Sequence, residues 1–236
     1  MKASQGEARA QCKRRDWTRG KSMTVPRPRT RIQAKNSEAI LEAALDVFSQ
    51  FGFRGATLDQ IAEVAGLSKP NLLYYFASKE AIHVTLLSGL MDTWLDPLRA
   101  LHHDGEPVGE ILDYVRRKLE MSRLYPRESR LFANEILQGA PRILDQIEGE
   151  LKALVDDKAA LIRAWIAEGR LAPVDPYHLL FSIWATTQHY ADFDIQVHRV
   201  LGQEGDAPYA EAERFLTQLY RAALTPAVNP AVTRRA

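Results

Sequence analysis

Cysteine is nearly absent: the 236-residue chain has one, Cys12. A single thiol closes no intramolecular disulfide and builds no cysteine-rich zinc site, so nothing points to an oxidising compartment or a structural metal. The cytoplasm is the expected location. No apolar run approaches the roughly 18 to 20 residues that a membrane span requires, and the basic N-terminal stretch has no apolar signal-peptide core behind it. Neither a His-Glu-x-x-His pair nor a phosphate-cradling glycine loop occurs. Of the six histidines, His102 and His103 adjoin an expected loop, and His178 and His189 stand eleven residues apart. A helical hydrolase built on histidines and carboxylates is therefore the weakest functional class, and no cofactor or metal is expected. Strand-type alternation is missing as well, which leaves an all-α fold.

What is present begins with 46% apolar residues, enough for one sizeable core or a small domain joined to a larger one. The formal net charge of +1 conceals an asymmetry. Residues 1–35 carry eleven basic side chains, among them Arg27, Arg29, Arg31 and Lys35, against Glu7 and Asp16, a balance of +9. This polar segment, with Pro26 and Pro28, reads as a disordered arm whose charge suits nucleic acid or an anionic surface, or equally as a solvated tail. Met23 offers a second translation start that would shorten the arm and keep the helical domain whole.

From Ser37 the apolar residues Ile40, Leu41, Ala44, Leu45, Phe48 and Phe51 recur every three or four positions, and Gly52 fits a helix stop. A second helix opens at Thr57, with Gln60 in capping-box spacing. Gly66 supplies a residue able to turn left-handed, and Ser68 caps a third helix through Phe76. Two short helices joined by a tight glycine turn have the geometry of a helix-turn-helix, whose second helix enters the major groove. Ser68, Lys69 and Asn71 lie at its N-terminus, Tyr74, Tyr75 and Lys79 offer donors to phosphate, and Thr57 at the start of the second helix is a further expected DNA contact. On spacing alone an ordinary helical hairpin is as good a reading.

Gly55-Ala56-Thr57-Leu58, Ile61-Ala62, Ala65-Gly66-Leu67-Ser68 and Tyr75-Phe76-Ala77-Ser78-Lys79-Glu80 resemble the N-terminal domain of TetR-family repressors over residues 37–83. The resemblance implies an all-helical homodimer with a three-helix DNA-binding domain and a larger ligand-binding and dimerisation domain. Expected boundaries are an arm at 1–35, a helix-turn-helix domain at 36–82, an effector domain at 83–225 and a flexible tail at 226–236. Pro70 stands where the family often has glycine, and Leu73 where its first tyrosine usually lies. Leu73 is expected in the core. Residues 36–82 carry a net −3, so the arm, through Arg29, Arg31 and Lys35, is the expected source of positive charge for double-stranded DNA.

Beyond Ser78, amphipathic helices are expected at 79–102, 108–124, 128–138, 142–169, 176–193 and 208–224, with Asp175-Pro176 a good helix start. Asn71-Leu72-Leu73-Tyr74-Tyr75-Phe76, Trp94-Leu95-Asp96-Pro97-Leu98 and Ile183-Trp184-Ala185-Thr186-Thr187-Gln188-His189-Tyr190-Ala191-Asp192-Phe193 resemble the pyrimidine-utilisation (Rut) regulators. That resemblance implies a sensor of uracil or thymine that releases DNA on binding.

Helical spacing independently puts Leu180, Trp184, Thr187, Gln188 and Ala191 on one stripe, an indole beside a carboxamide. The indole offers a flat apolar face and the carboxamide one donor and one acceptor, which match a pyrimidine ring and its imide edge. Trp94, Leu98, Val115 and Leu119 are expected to close this pocket. A packed core with one glutamine bonded to backbone explains the same stripe without a ligand, and a lipophilic effector is a further alternative. His189, Tyr190 and Phe193 point off the stripe, to a dimer partner or to the chain's own last helix.

Overall fold

In the computed structural model residues 31–227 are described, and every regular element among them is helical. Arg29, the rest of the arm and the tail beyond residue 227 lie outside the described residues. The chain forms two compact units, the first holding the described residues up to Thr93 together with Leu124–Asp145, the second Trp94–Arg123 together with the residues from Gln146 onward. The first unit thus takes in more chain than the 36–82 segment expected to read DNA.

Helix α1 (Arg31–Gly55) starts six residues before the expected Ser37, so Arg31 and Lys35 stand on helical turns and not in a loose arm. Nothing between 31 and 37 breaks a helix, and the carboxamides of Gln33 and Asn36 tie these turns to Tyr74 and Tyr75. The helix is broken at Gly52, whose φ of 66° is left-handed and strained for any residue with a Cβ. Helices α2 (Leu58–Val64) and α3 (Lys69–Tyr75) follow as expected. Thr57 Oγ1 accepts the Gln60 N–H, and the Gln60 side chain accepts the Thr57 N–H at 2.8 Å, completing the capping box. Gly66, at φ 67°, makes the turn, with the Leu67 N–H closing back on the Ala62 carbonyl at 2.9 Å.

Ile40, Ala44, Leu45 and Phe48 of α1, Ile61 of α2, Leu72 of α3 and Ile82 and Leu86 of α4 (Lys79–Arg99) are buried. These are the positions of the helical repeat. Helix α6 (Pro126–Leu137) packs against α1, where Arg127 bonds Glu42 at 2.7 Å and also bonds Asp46. In the turn after α6, Arg142 holds the buried Glu135 by its side chain and its backbone N–H, both at 2.9 Å, and lies 3.7 Å from the centre of the Phe53 ring. His83 sits edge-on to Phe48 and Phe53. Glu135 is committed to Arg142, so burial and the Arg142 and Lys79 cations prevail at His83, lowering its pKa to about 4.

The second unit is built from α5 (Pro107–Leu124) up to Arg123, α7 (Lys152–Ala167), α8 (Pro176–Asp192), α9 (Asp194–Leu201) and α10 (Ala207–Leu224). Its core gathers Leu98, Ile111, Val115, Ile162, Trp165, Leu180, Ile183 and Leu216. The single helix expected at 142–169 is instead a turn of helix at Leu144–Gln146 and a π-helical stretch at Ile147–Leu151 that run into α7. Helix α9 was not expected. Phe193 leaves helical geometry (φ −119°, ψ 33°) and separates it from α8. Three of its four apolar residues, Ile195, Val200 and Leu201, are exposed in the protomer and Val197 is half-buried, so they carry no strong core-facing repeat. No helix among the described residues is long and apolar enough to cross a membrane.

Candidate functional site

Helix α3 carries most of the groups expected to contact DNA. Ser68 caps it, its Oγ accepting the Asn71 N–H at 3.3 Å, and Pro70 falls in the first turn, where a missing N–H breaks no intrahelical bond. Lys69 and Asn71 are exposed, with Lys69 Nζ 2.9 Å from Asp59 in a solvent-facing pair. Such a pair contributes at most about 1 kcal/mol, so a phosphate can displace the carboxylate. Thr57 is spent on its cap.

The tyrosines are held from behind. Tyr74, 70% exposed, accepts the Gln33 amide at 3.2 Å, and the half-buried Tyr75 accepts the Asn36 amide at 2.9 Å. Each hydroxyl used as an acceptor keeps its own proton to donate outward. The expectation for Lys79 changes: its ammonium donates to the Phe53 carbonyl at 2.6 Å and the Ala56 carbonyl at 2.7 Å, and lies over the Phe53 ring. It ties down the loop ahead of α2 in place of reaching outward. Leu73 also departs from expectation, being 40% exposed, because the buried stripe of the short α3 is filled by Leu72 and closed by Phe76.

In the second unit, Trp94, Leu98, Val115, Leu119 and Thr187 are buried, and Trp184 and Gln188 are half-buried. The Trp184 indole N–H donates to the Tyr114 hydroxyl at 2.7 Å. Burial pushes the Tyr114 hydroxyl pKa up, keeping it neutral. Thr187 Oγ1 donates to its own helix at the Ile183 carbonyl, 2.7 Å away, and so acts as wall. The Gln188 carboxamide has no hydrogen-bond partner among the described residues. Off the stripe, the Tyr190 ring lies 6.0 Å from that of Tyr209, within the protomer, while His189 stacks on the exposed Phe193.

The model for bacterial regulatory proteins of the tetR family matches residues 40–84, and that for the C-terminal region of YcdC-like proteins matches residues 87–227. The HTH-type transcriptional regulator RutR of Escherichia coli (strain K12) is 56% identical over 174 residues, 74% of this chain and 82% of that protein. The chain belongs to the TetR family. The ketosteroid transcriptional regulator KstR2 of Mycobacterium tuberculosis shares the fold at a TM-score of 0.65 and 22% identity, covering 81% of this chain and 95% of that one. A TetR-like transcriptional regulator from Rhodococcus sp. RHA1 does so at 0.60 and 19%, covering 84% and 98%.

This TetR-family chain is therefore a helix-turn-helix transcriptional regulator and not an enzyme. Three of its polar groups escaped sequence reasoning. Gln33 and Asn36 fell outside or at the edge of the expected first helix, and only the fold brings them to α3. Lys118 reads as a solvated cation among Arg116, Arg117 and Glu120, yet it is only 5% exposed. The available signal was its position, four residues after Tyr114 and three after Val115, on the apolar side of α5.

Proposed function

We propose that this regulator binds operator DNA as a homodimer and releases it when uracil or thymine binds among α4, α5 and α8 of the second unit. The observation that carries the reading is the Trp184 to Gln188 stripe: an indole fixed by Tyr114 and, one turn on, a carboxamide without a partner, at the margin of an apolar core. This half-buried carboxamide is left free to pair with a ligand. A flat heteroaromatic imide supplies both the stacking face and the complementary donors and acceptors. The likeness to RutR and to the Rut group supports the same ligand class. The effector is not a purely lipophilic compound, because such a molecule would bury Gln188 unpaired.

DNA is held by Ser68, Lys69, Asn71, Tyr74 and Tyr75 from α3, by Arg31 and Lys35 at the start of α1, and by basic residues ahead of them, including Arg29. A two-fold dimer sets two such readers on major-groove half-sites about 34 Å apart, or a multiple of that. The dimer contact is drawn from the apolar residues that α8, α9 and α10 leave exposed, Phe181, Phe193, Ile195, Phe215 and Leu219. An open hollow of about 630 Å³ lies along Glu213, Arg214, Thr217 and Arg221; it is lined by α10 alone and is a surface feature, not a ligand cavity.

A gel shift with the full chain on DNA flanking its own gene, with uracil, thymine or cytosine added, tests the proposal. A retarded band that uracil or thymine releases and cytosine does not is the expected result; no shift on any DNA, or a shift indifferent to all three bases, overturns it.

A further inference from the structure

Helix α3 has two unlike faces. Leu72 and, at the C-terminal end, Phe76 are buried in the first unit, and Tyr75 is half-buried beside them. Pro70, Leu73 and Tyr74 recur at one-turn spacing and share the other face, and all three are exposed. The polar groups around this face are held at its margins. The Tyr74 hydroxyl accepts the Gln33 amide at 3.2 Å, and the Lys69 ammonium lies 2.9 Å from Asp59. Between them the surface is apolar, made of the Pro70 ring and the Leu73 side chain.

Packing within the chain does not account for Leu73, because the core-facing stripe of this short helix is already filled by Leu72 and Phe76. A lone exposed leucine on an ordinary surface needs no explanation. On a helix that enters the major groove it has a consequence. Leu73 has no donor or acceptor, so it cannot hold a phosphate as the tyrosine usual at this position in the family could. Contacts to phosphate fix register and carry no sequence information, whereas base edges do. In the major groove the base pairs offer one apolar group, the C5-methyl of thymine. An apolar side chain applied to that groove gains by covering this methyl.

We infer that Leu73, flanked by Pro70, is a specificity-determining residue of the operator contact, packing on the C5-methyl of a thymine and so selecting an A·T pair at one position of each half-site. The inference rests on α3 being the reading helix and names what part of it reads. Lys69 and Tyr74 at the margins reach phosphate and set the register, and Leu73 discriminates. Its share of the binding is independent of salt, because covering a methyl group releases no counterion. Adenine, guanine and cytosine present no methyl to it, so they leave the leucine uncovered or set against polar atoms.

DNA flanking the chain's own gene, prepared once with thymine and once with uracil in place of every thymine, tests this, since the two duplexes differ only in their C5-methyl groups. A uracil inside the duplex keeps its imide edge in the base pair and does not act as free effector. Fluorescence anisotropy compares both duplexes with the full chain as wild type, Leu73→Ala and Leu73→Gln, after melting curves of all three. Alanine and glutamine both suit an exposed helical position, so the fold should persist. Covering one methyl corresponds to about 4-fold in affinity per half-site. Over two half-sites wild type should bind the uracil duplex about 10- to 20-fold more weakly. Both variants should bind the thymine duplex weakly by a similar factor, bind the two duplexes alike, and keep the wild-type salt slope. Equal binding of the two duplexes by wild type overturns the inference without any variant, and so does discrimination that persists in a folded variant; either result leaves α3 as the reading helix. Wild type binding neither duplex above unrelated DNA overturns both.

Discussion

In the proposed DNA interface, Tyr74 and Tyr75 would donate the hydroxyl protons that the Gln33 and Asn36 amides leave free. Tyr75→Phe removes one hydrogen bond to an anionic phosphate, and the operator should then bind about 10- to 100-fold more weakly. Asn36→Ala should give a smaller loss that disappears in the Tyr75→Phe background, as measured by fluorescence anisotropy on labelled operator. In the second unit, Trp184→Ala should abolish release by uracil while operator affinity stays near wild type, because the lost groups belong to the effector stripe. His83 gives a pH prediction. Its folded pKa is about 4 against 6.5 when unfolded, so the unfolded chain gains a proton first as the solution is acidified. Stability from this group is complete above pH 6.5 and is lost as pH falls toward 4. Urea midpoints at pH 7.5 and 5.0 should therefore differ more in wild type than in His83→Phe.

Among the helices, α2 and α3 are too short to persist alone and owe their order to caps and packing. Loss of the α2 cap in Thr57→Ala should destabilise the chain by about 1 kcal/mol, read from the denaturation midpoint. A larger effect is expected where α6 ends. Glu135 is buried and answers Arg142, which in turn covers the Phe53 ring just ahead of the helix-turn-helix. Glu135→Gln removes the buried carboxylate and leaves Arg142 only the exposed Glu80 at 3.6 Å, and should cost about 3 kcal/mol, seen as a shifted chemical-denaturation curve. The apolar repeats of α1, α5 and α8 made these helices legible. The π-helical stretch at Ile147–Leu151 was not legible, because the apolar repeat runs on through it despite Gly149, and α9 was not, because most of its apolar residues are exposed in the protomer.

For the whole molecule, charge and symmetry matter more than any one contact. The reader at residues 36–82 is net negative, whereas the 30 residues ahead of α1 hold nine basic side chains against two acidic ones. Deleting residues 1–30, which leaves α1 whole, should weaken operator binding and flatten the dependence of log K on log salt by several units; an unchanged slope would remove the arm from the interface. Complete release by the proposed effector would need a preference of about 5.5 kcal/mol between the two states, a demand that two sites would share in the proposed dimer. The sequence by itself determined the all-helical class, the capped α2–Gly66–α3 turn and the Trp184 stripe, because each depends on residues a few positions apart. Tertiary structure decided which polar groups serve those features. Asn36 reaches Tyr75 across 39 positions, Lys79 reaches back 26 to the Phe53 carbonyl, and Lys118 is buried only because other helices pack around it. The helical repeat records which face of a helix is apolar and says nothing of what another helix will bring to that face.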